Sequence, residues 1–468
     1  MLFTSATFFV FFAVVFIGYY FPLFRRWQTA WLASASLFFY GYSQPYLLVL
    51  LLSVALIDIV CSYQAVRTAR PRLWASTGVI ANLLVLAFFK YNHLMVALAP
   101  SSAGLGDPVR SLLMLPLPIG ISFFTFHGIS LLVDTLRRQD VGAVATSAAD
   151  FGGHARNTLF YLSFFPQLIA GPIMKARDFF PQMVPKAFRD IPWTTATEAL
   201  IVGYFLKVVV ADNLNQQTFW LAYPYFLSFS SANLALVLLG YSAQIFADFA
   251  GYSLIAIGLA QLFGYQLPTN FLFPYISQSF AEFWTRWHMS LSSWLREYLY
   301  FPLGGNRKGR GRTYLNLMIV MTLGGLWHGA AVSYAVWGFW HGSALVLERL
   351  CEGLSFYRSR HPVIAVLRVV VVFCVVTFGW LLFKLPNFSD VIVFLDTLWR
   401  NARLPLAKTN AAMILIYAFP IVLYHMHYVL GGRGVRLGAT ARAATMGLLA
   451  AAIVINPGSS RDFIYFQF

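Results

Sequence analysis

The chain has 468 residues, of which 59% are hydrophobic, 18% are aromatic and only 11% are charged. Soluble domains carry about 25% charged residues, and the deficit here extends along the chain, which excludes a soluble domain with a single anchor. The net charge of +16 does not indicate nucleic-acid binding, because the basic residues cluster in loops, as they do beside the anionic cytoplasmic leaflet. The composition therefore predicts an all-α, polytopic membrane protein embedded in a lipid bilayer.

Apolar runs of about the length that crosses a bilayer, roughly 20 residues, recur along the whole chain. They lie near residues 4–22, 29–43, 45–66, 73–91, 111–133, 157–174, 194–211, 219–240, 241–263, 313–333, 334–350, 362–384, 411–431 and 443–456. Adjacent runs can merge or be re-entrant, so we expect about eleven to thirteen crossings. The first run has no basic leader and no small-residue cleavage site, which favours a retained span. Arg25 and Arg26 follow it, which places the N-terminus outside and this loop in the cytoplasm.

The middle of the chain differs from both flanks. Residues 110–345 carry polar side chains within apolar surroundings, among them Lys207, Gln244, Asp248, Asn270 and Asn316. Such groups are costly in a bilayer and usually face an interior or a cavity. We therefore predict one membrane domain over residues 1–468, with a catalytic core at 110–345 between N-terminal wall helices (1–110) and C-terminal wall helices (346–468).

The segment 280–298 has a helical period of apolar residues. These are Phe280, Phe283, Trp284, Trp287, Leu291, Trp294, Leu295 and Tyr298. Their spacing predicts one amphipathic helix, and its charges place it at the membrane interface, not across the membrane. Glu282 and Arg286 are four residues apart and can pair. His288 lies on the apolar face, where it is either a packing residue or a functional one.

Two identical Trp-His-Gly triplets contain His328 and His341. His328 lies in the middle of the run 314–340, which has no Asp, Glu, Lys or Arg, so it is expected near the bilayer midplane, where an ionisable group indicates function. Burial keeps its imidazole neutral and able to accept a proton. His341 would lie about 220° away on a continuous helix, at the edge of the run. It is therefore expected to be an interfacial or packing residue.

The sequence contains no motif for nucleotide binding, for a serine nucleophile or for metal binding. The loop GGNRKGRG lacks the Lys-Ser/Thr ending and the preceding strand of a phosphate-binding loop, and no G-x-S-x-G motif is present. The three cysteines, Cys61, Cys351 and Cys374, and the histidines have no metal-ligand spacing. We expect no metal site and no bound cofactor.

Together, SFAEFWTRWHMSLSSWLREYLYFPLGGNRKG and LGGLWHGA resemble the membrane-bound O-acyltransferase (MBOAT) family, and within it the bacterial alginate O-acetyltransferase (AlgI-like) branch. LPIGISFFTFHGISLLVD, FFPQLIAGPI and QIFADFAGYSLIAIGLAQLFGYQLPTNFLFPY fit the same branch. The resemblance implies a ring of membrane helices around a central chamber. By motif, it implies that His328 is the catalytic histidine and that His288 is a second catalytic position.

From this resemblance we expect transfer of an acyl group, most simply acetyl, from a cytoplasmic thioester (acetyl-CoA or an acyl carrier) for O-acetylation of an exported polysaccharide such as alginate. The donor is a substrate, and a periplasmic or exported acetyltransferase is an expected partner protein. The expected location is the bacterial cytoplasmic (inner) membrane. The predicted substrate-binding residues are Trp284, Trp287, Gln244, Asp248, Asn316 and Trp327. D-alanyl transfer, lipid O-acylation and non-enzymatic transport of acyl donors remain the alternatives.

Overall fold

All regular structure in the described residues is helical. The computed structural model describes residues 1–42, 44–98, 115–137, 150–169, 171–359, 361–432 and 438–459, and no strand occurs within them. Two compact units are present, one formed by Met1–Ala199 with Ile255–Pro268 and the other by Leu200–Leu254 with Thr269–Phe468. Every residue predicted for the site belongs to the second unit. The threefold division into walls and core stays a prediction.

The first unit consists of helices with an aromatic core. Its α-helices are Ala6–Tyr20, Gln28–Gly41, Tyr46–Arg67, Pro71–Leu98, Ile121–Arg137, Phe151–Ser163, Phe165–Leu168, Ala176–Phe179 and the start of Trp193–Tyr204. The hydroxyls of Tyr19 and Tyr20 donate to the carbonyls of Phe263 (3.1 Å) and Leu262 (2.7 Å). These bonds join the first helix to the C-terminal end of the long helix Ser231–Leu262.

The second unit contains the remaining helices of the described chain. Its α-helices are Asp212–Thr218, most of Ser231–Leu262, Phe280–Arg286, Met289–Leu295, Arg310–His328, Val332–Cys351, Ser355–Arg358, Pro362–Lys384, Phe388–Arg400, Lys408–Gly432 and Ala439–Ile455. Two π-helical turns, Phe205–Ala211 and Arg296–Tyr300, interrupt the α-helical geometry. π-Helical turns are rare and frequent at functional sites.

The prediction of an all-helical, multi-pass membrane protein is confirmed. By length and apolar composition, six helices of the described chain can cross a membrane: Tyr46–Arg67, Pro71–Asn92, Trp193–Leu221, Ser231–Leu262, Pro362–Lys384 and Lys408–Gly432. A seventh span results if Ala6–Tyr20 and Pro22–Gly41, bent by 93° at their junction, are counted as one. Within the described residues this is fewer than the expected eleven to thirteen, because several predicted crossings are short or broken helices. The predicted crossing at 111–133 begins outside the described residues.

Three of the predicted crossings have different boundaries in the structure. Residues 219–230 form short 3-10 turns, and a single helix, Ser231–Leu262, replaces the predicted crossings at 219–240 and 241–263. The predicted crossing at 157–174 is broken. Its helix ends at Ser163, a four-residue helix Phe165–Leu168 follows, and the described residues 169 and 171–175 belong to no helix or strand.

The helices Arg310–His328 and Val332–Cys351, which we call the histidine hairpin, pack closely against each other. A Cβ atom on Gly325 would lie 2.1 Å from the carbonyl oxygen of Tyr334, and one on Gly338 would lie 2.3 Å from that of Met321. Heavy atoms do not approach that closely, so glycine is required at both positions. The hairpin therefore holds the residues at the end of its first helix in a fixed relation to its second helix.

Candidate active site

The segment 280–298 is not the single amphipathic helix that its apolar period predicts. It forms the helices Phe280–Arg286 and Met289–Leu295, and His288 between them has left-handed backbone angles (φ 43°, ψ 52°). The backbone N–H of Leu272 donates to the carbonyl of Arg286 (2.9 Å), so a neighbouring segment satisfies a carbonyl at the break. The predicted pairing of Glu282 with Arg286 is confirmed, with a nitrogen–oxygen distance of 2.9 Å.

His288 is buried against aromatic rings. Its ring centroid lies 4.6 Å from that of Phe249 and 6.2 Å from that of Trp327. His288 lies outside the six apolar spans, and burial lowers its pKa to about 3 because a charged imidazolium is poorly stabilised away from water. The ring is therefore neutral at physiological pH and can both donate and accept a hydrogen bond.

His328 is the last residue of the first helix of the histidine hairpin. Its ring is buried, with centroid distances of 4.9 Å to Trp327, 5.3 Å to Trp337 and 5.1 Å to Phe383. The helix ends here, so His328 occupies the tip of an element, not the middle of a continuous span as its position in the sequence suggested. Three rings around an imidazole restrict its orientation.

A cavity of 340 Å³ in the second unit brings the two predicted catalytic histidines together. His288 and His328 both line it, as do the predicted binding residues Trp284 and Trp287. Trp337, which the sequence did not single out, completes the aromatic lining. The cavity thus presents two buried imidazoles beside aromatic side chains, and its lining also includes the polar or charged residues Ser292, Arg296 and Arg349. Two imidazoles that face one space are suited to proton transfer with a reactant bound there.

The other predicted binding residues do not line this cavity. Gln244 accepts a hydrogen bond from the hydroxyl of Thr218 and donates to Asn215 (3.1 Å). Asp248 pairs with Lys207 (2.8 Å). The side-chain amide of Asn316 donates to the carbonyl of Gly305 (2.8 Å). These three side chains have partners elsewhere in the second unit, so their role in substrate binding stays a prediction.

Trp327 contacts both histidines but does not line the cavity. Its ring centroid lies 6.2 Å from that of His288 and 4.9 Å from that of His328. Its role in substrate binding stays a prediction.

The assumption that His328 and His341 lie on one continuous helix is wrong, whereas the alternative that His341 is a packing residue agrees with the structure. His341 is fully buried, and its centroid is 5.1 Å from that of Trp284 and 4.8 Å from that of Trp337. The helical-phase argument fails because the helix breaks between His328 and Val332, so the two histidines occupy different helices. His341 does not line the cavity but packs behind the two tryptophans that do.

Two functional candidates, Glu348 and Arg349, were not predicted from the sequence. The carboxylate of Glu348 is buried and accepts hydrogen bonds from the backbone N–H groups of Phe280 and Ala281, the latter at 3.1 Å. It ties the histidine hairpin to the helix that precedes His288. Arg349, the next residue, lines the cavity and also a second, polar cavity of 660 Å³. Neither residue belongs to a motif, so only the folded structure reveals them.

Comparison with known proteins identifies the family. The model of the membrane-bound O-acyltransferase (MBOAT) family matches residues 151–385, the region that contains both cavity histidines. The chain belongs to the membrane-bound O-acyltransferase family. Among its relatives, the probable alginate O-acetylase AlgI of Pseudomonas aeruginosa is 36% identical over 420 residues, which cover 88% of this chain and 77% of that protein.

Two other MBOAT relatives carry different names. The peptidoglycan O-acetyltransferase of Helicobacter pylori is 34% identical over 423 residues, covering 84% of this chain and 78% of that protein. The teichoic acid D-alanyltransferase of Bacillus subtilis is 28% identical over 286 residues, covering 57% and 68%. The predicted enzyme class is confirmed: this MBOAT chain is a membrane-bound O-acyltransferase.

Proposed function

We propose that this protein moves an acetyl group from a cytoplasmic thioester across the bacterial inner membrane for O-acetylation of an exported cell-surface polysaccharide. A separate periplasmic or exported acetyltransferase completes the modification. The observation that carries the proposal is the cavity lined by both His288 and His328. The names of two relatives, an alginate O-acetylase and a peptidoglycan O-acetyltransferase, support acetyl transfer to a polysaccharide.

The size of the cavity supports a short acyl group. Its volume of 340 Å³ is near the lower end of the range of about 300–1,000 Å³ that small-molecule sites span. Such a space is large enough for an acetyl group with part of its thioester arm, which is consistent with the proposed acetyl transfer.

In the proposed reaction, His328 acts as the general base. Its imidazole takes the proton of the acceptor hydroxyl, the oxygen attacks the thioester carbonyl carbon, and the carbon–sulfur bond breaks as the thiolate leaves with the donor. A base within about 3 Å of the proton typically contributes 10²–10⁴-fold. His288 positions the reactants or donates a hydrogen bond to the developing oxyanion.

The second cavity supports an anionic donor. It is lined by Arg310 and Arg349, by the hydrogen-bonding side chains of Asn306 and Tyr314, and by one carboxylate, Glu352. Arg349 also lines the histidine cavity, so the two cavities are neighbours, and we propose that a donor with its phosphates at the arginines extends its thioester arm toward the histidines. Arginine is well suited to phosphate because its planar guanidinium donates several hydrogen bonds.

The proposal is tested by the ester content of exported polymers. Deleting the gene is expected to remove base-labile acetate from the cell-surface polysaccharide, and a plasmid copy is expected to restore it. Acetate and D-alanine released by mild alkali are measured in parallel. Loss of D-alanine with unchanged acetate would instead support D-alanyl transfer, and unchanged levels of both would reject the proposal.

Replacing Arg349 with glutamine is expected to raise the KM for acetyl-CoA about tenfold and to change kcat little. A hydrogen bond to a charged group contributes about 1.5–3 kcal/mol, and each 1.4 kcal/mol corresponds to about a tenfold change in affinity. The measurement is initial-rate acetyl transfer in membrane vesicles, with acetyl-CoA and an acetylated carrier protein as separate donors.

Arg312→Gln is the matched control for Arg349→Gln. Arg312 is an exposed arginine of the same basic region but lines neither cavity, so its loss is expected to leave the KM nearly unchanged. An equal rise of the KM in both variants would indicate general attraction of the anionic donor to the basic region. An unchanged KM in Arg349→Gln would show that the donor phosphates bind elsewhere.

A further inference from the structure

The conformation of His288 requires an external support. His288 has a φ of 43°, a left-handed conformation that is uncommon for a residue with a side chain and costs energy. It is also the N-cap residue of the helix Met289–Leu295, yet its side chain makes no capping hydrogen bond. The N-terminal N–H groups of a helix need acceptors, which the N-cap side chain usually supplies. Another residue must therefore supply them here.

Asn270 supplies these acceptors. Its backbone carbonyl accepts from the N–H of Met289 (2.9 Å). Its side-chain oxygen Oδ1 accepts from both the backbone N–H (3.3 Å) and the hydroxyl (2.8 Å) of Ser290. Asn270 is itself buried. It thus caps the helix that begins directly after His288, and the imidazole of His288 lines the cavity instead of serving as the cap.

The remaining hydrogen bond of Asn270 leads to the element against which His288 packs. Its side-chain N–H donates to the hydroxyl of Ser253 (3.1 Å). Ser253 lies one turn after Phe249 on the helix Ser231–Leu262, and Phe249 contacts the ring of His288 at 4.6 Å. The side chain of Asn270 therefore links the backbone that follows His288 to the helix whose Phe249 ring packs against His288.

We propose that Asn270 is a positioning residue for acyl transfer, which acts by holding His288 in its left-handed conformation with its imidazole toward the cavity. The inference rests on the proposed function, in which His288 takes part in the reaction. Asn270 does not line the cavity, whereas its hydrogen bonds lead to the residues on either side of the His288 ring, so its effect on the reaction passes through His288. A small displacement of a positioned group can cost about 100-fold in rate.

A double-mutant cycle tests this coupling. Asn270→Ala is expected to lower the initial rate of acetyl transfer, per folded protein in membrane vesicles with acetyl-CoA, by about 10- to 100-fold. In the His288→Ala background the same change is expected to have almost no further effect, because the group that it positions is already absent. Ser290→Ala removes only the hydroxyl partner of Asn270, so a smaller loss with the same dependence on His288 is expected.

Asn233→Ala is the matched control. Asn233 is a buried asparagine in the same unit, and its Oδ1 accepts from the N–H of Ala407 (2.7 Å) and the hydroxyl of Ser230 (2.9 Å). It does not line the cavity, so the rate per folded protein is expected to stay near the wild-type value in both backgrounds.

The possible results separate the inference from the function on which it rests. Equal losses from Asn270→Ala with and without His288 would overturn the positioning role, as would a wild-type rate in both Asn270→Ala and Ser290→Ala. If His288→Ala is impaired while either of these outcomes is found, the proposed role of His288 stands and only the positioning role of Asn270 is rejected. A wild-type rate in His288→Ala would overturn both.

Discussion

Replacing His328 with glutamine is expected to lower the rate of acyl transfer by about 10²–10⁴-fold, the usual contribution of a general base. Glutamine keeps a polar side chain of similar length but cannot take the proton of the acceptor hydroxyl. His328 ends its helix and lines the cavity with His288, so the substitution changes the chemistry of the cavity more than the packing of the hairpin. The measurement is initial-rate transfer in membrane vesicles, normalised to folded protein.

His341→Gln is the control that the chain itself offers. Like His328, His341 lies in a Trp-His-Gly triplet, is buried and contacts Trp337. Unlike His328, it does not line the cavity. Its variant is expected to retain most of the wild-type rate. If His341→Gln lost as much activity as His328→Gln, the loss would reflect disturbed aromatic packing, and a fully active His328→Gln would remove His328 from the mechanism.

The sequence predicted the class of fold and the pair of histidines for identifiable physical reasons. Long apolar runs with few charges can only be satisfied as membrane helices, because a bilayer leaves no other partner for backbone N–H and C=O groups. His328 stood out as an ionisable group in a run without Asp, Glu, Lys or Arg, and His288 stood out by motif. The cavity contains both, although neither assignment specified how they meet.

The break at His288 could not be predicted from the apolar period. Phe283, Trp287 and Leu291 are all buried, so the pattern of burial continues across a change in backbone direction. The break is stabilised by hydrogen bonds from residues distant in sequence, such as that between Met289 and Asn270. Periodicity reports which side chains are buried, but it does not report where backbone groups find tertiary partners.

The error at His341 has a different origin. The calculation of helical phase was sound for one continuous helix, but residues 329–331 separate two helices that pack as a hairpin. Close contacts at Gly325 and Gly338 require that packing. Of the two glycines one turn before His328, Gly325 makes the helix contact, whereas Gly324 lines the cavity.

Replacing Lys207 with methionine is expected to destabilise the protein by about 3–5 kcal/mol, the cost of removing one partner from a buried ion pair. The ammonium of Lys207 lies 2.8 Å from carboxylate oxygens of both Asp212 and Asp248, and all three side chains are buried. Two carboxylates without this cation would repel each other in an environment of low polarity. The measurement is the fraction of folded protein in detergent as a function of temperature.

The triple variant Lys207→Met, Asp212→Asn, Asp248→Asn is expected to recover much of the lost stability, since removing all charges together avoids an uncompensated buried charge. Lys308→Met, at an exposed loop position, is expected to change stability by less than about 0.5 kcal/mol. A triple variant as unstable as the single one would show that the cluster contributes specific hydrogen bonds and not only charge balance. A stable single variant would contradict the buried ion pair.

The cluster lies at a π-helical turn, where Gly251 packs so closely that a Cβ atom would lie 2.9 Å from the backbone nitrogen of Lys207. The charges and the close backbone contact therefore fix the same junction, between Phe205–Ala211 and the helix that carries Phe249 against His288.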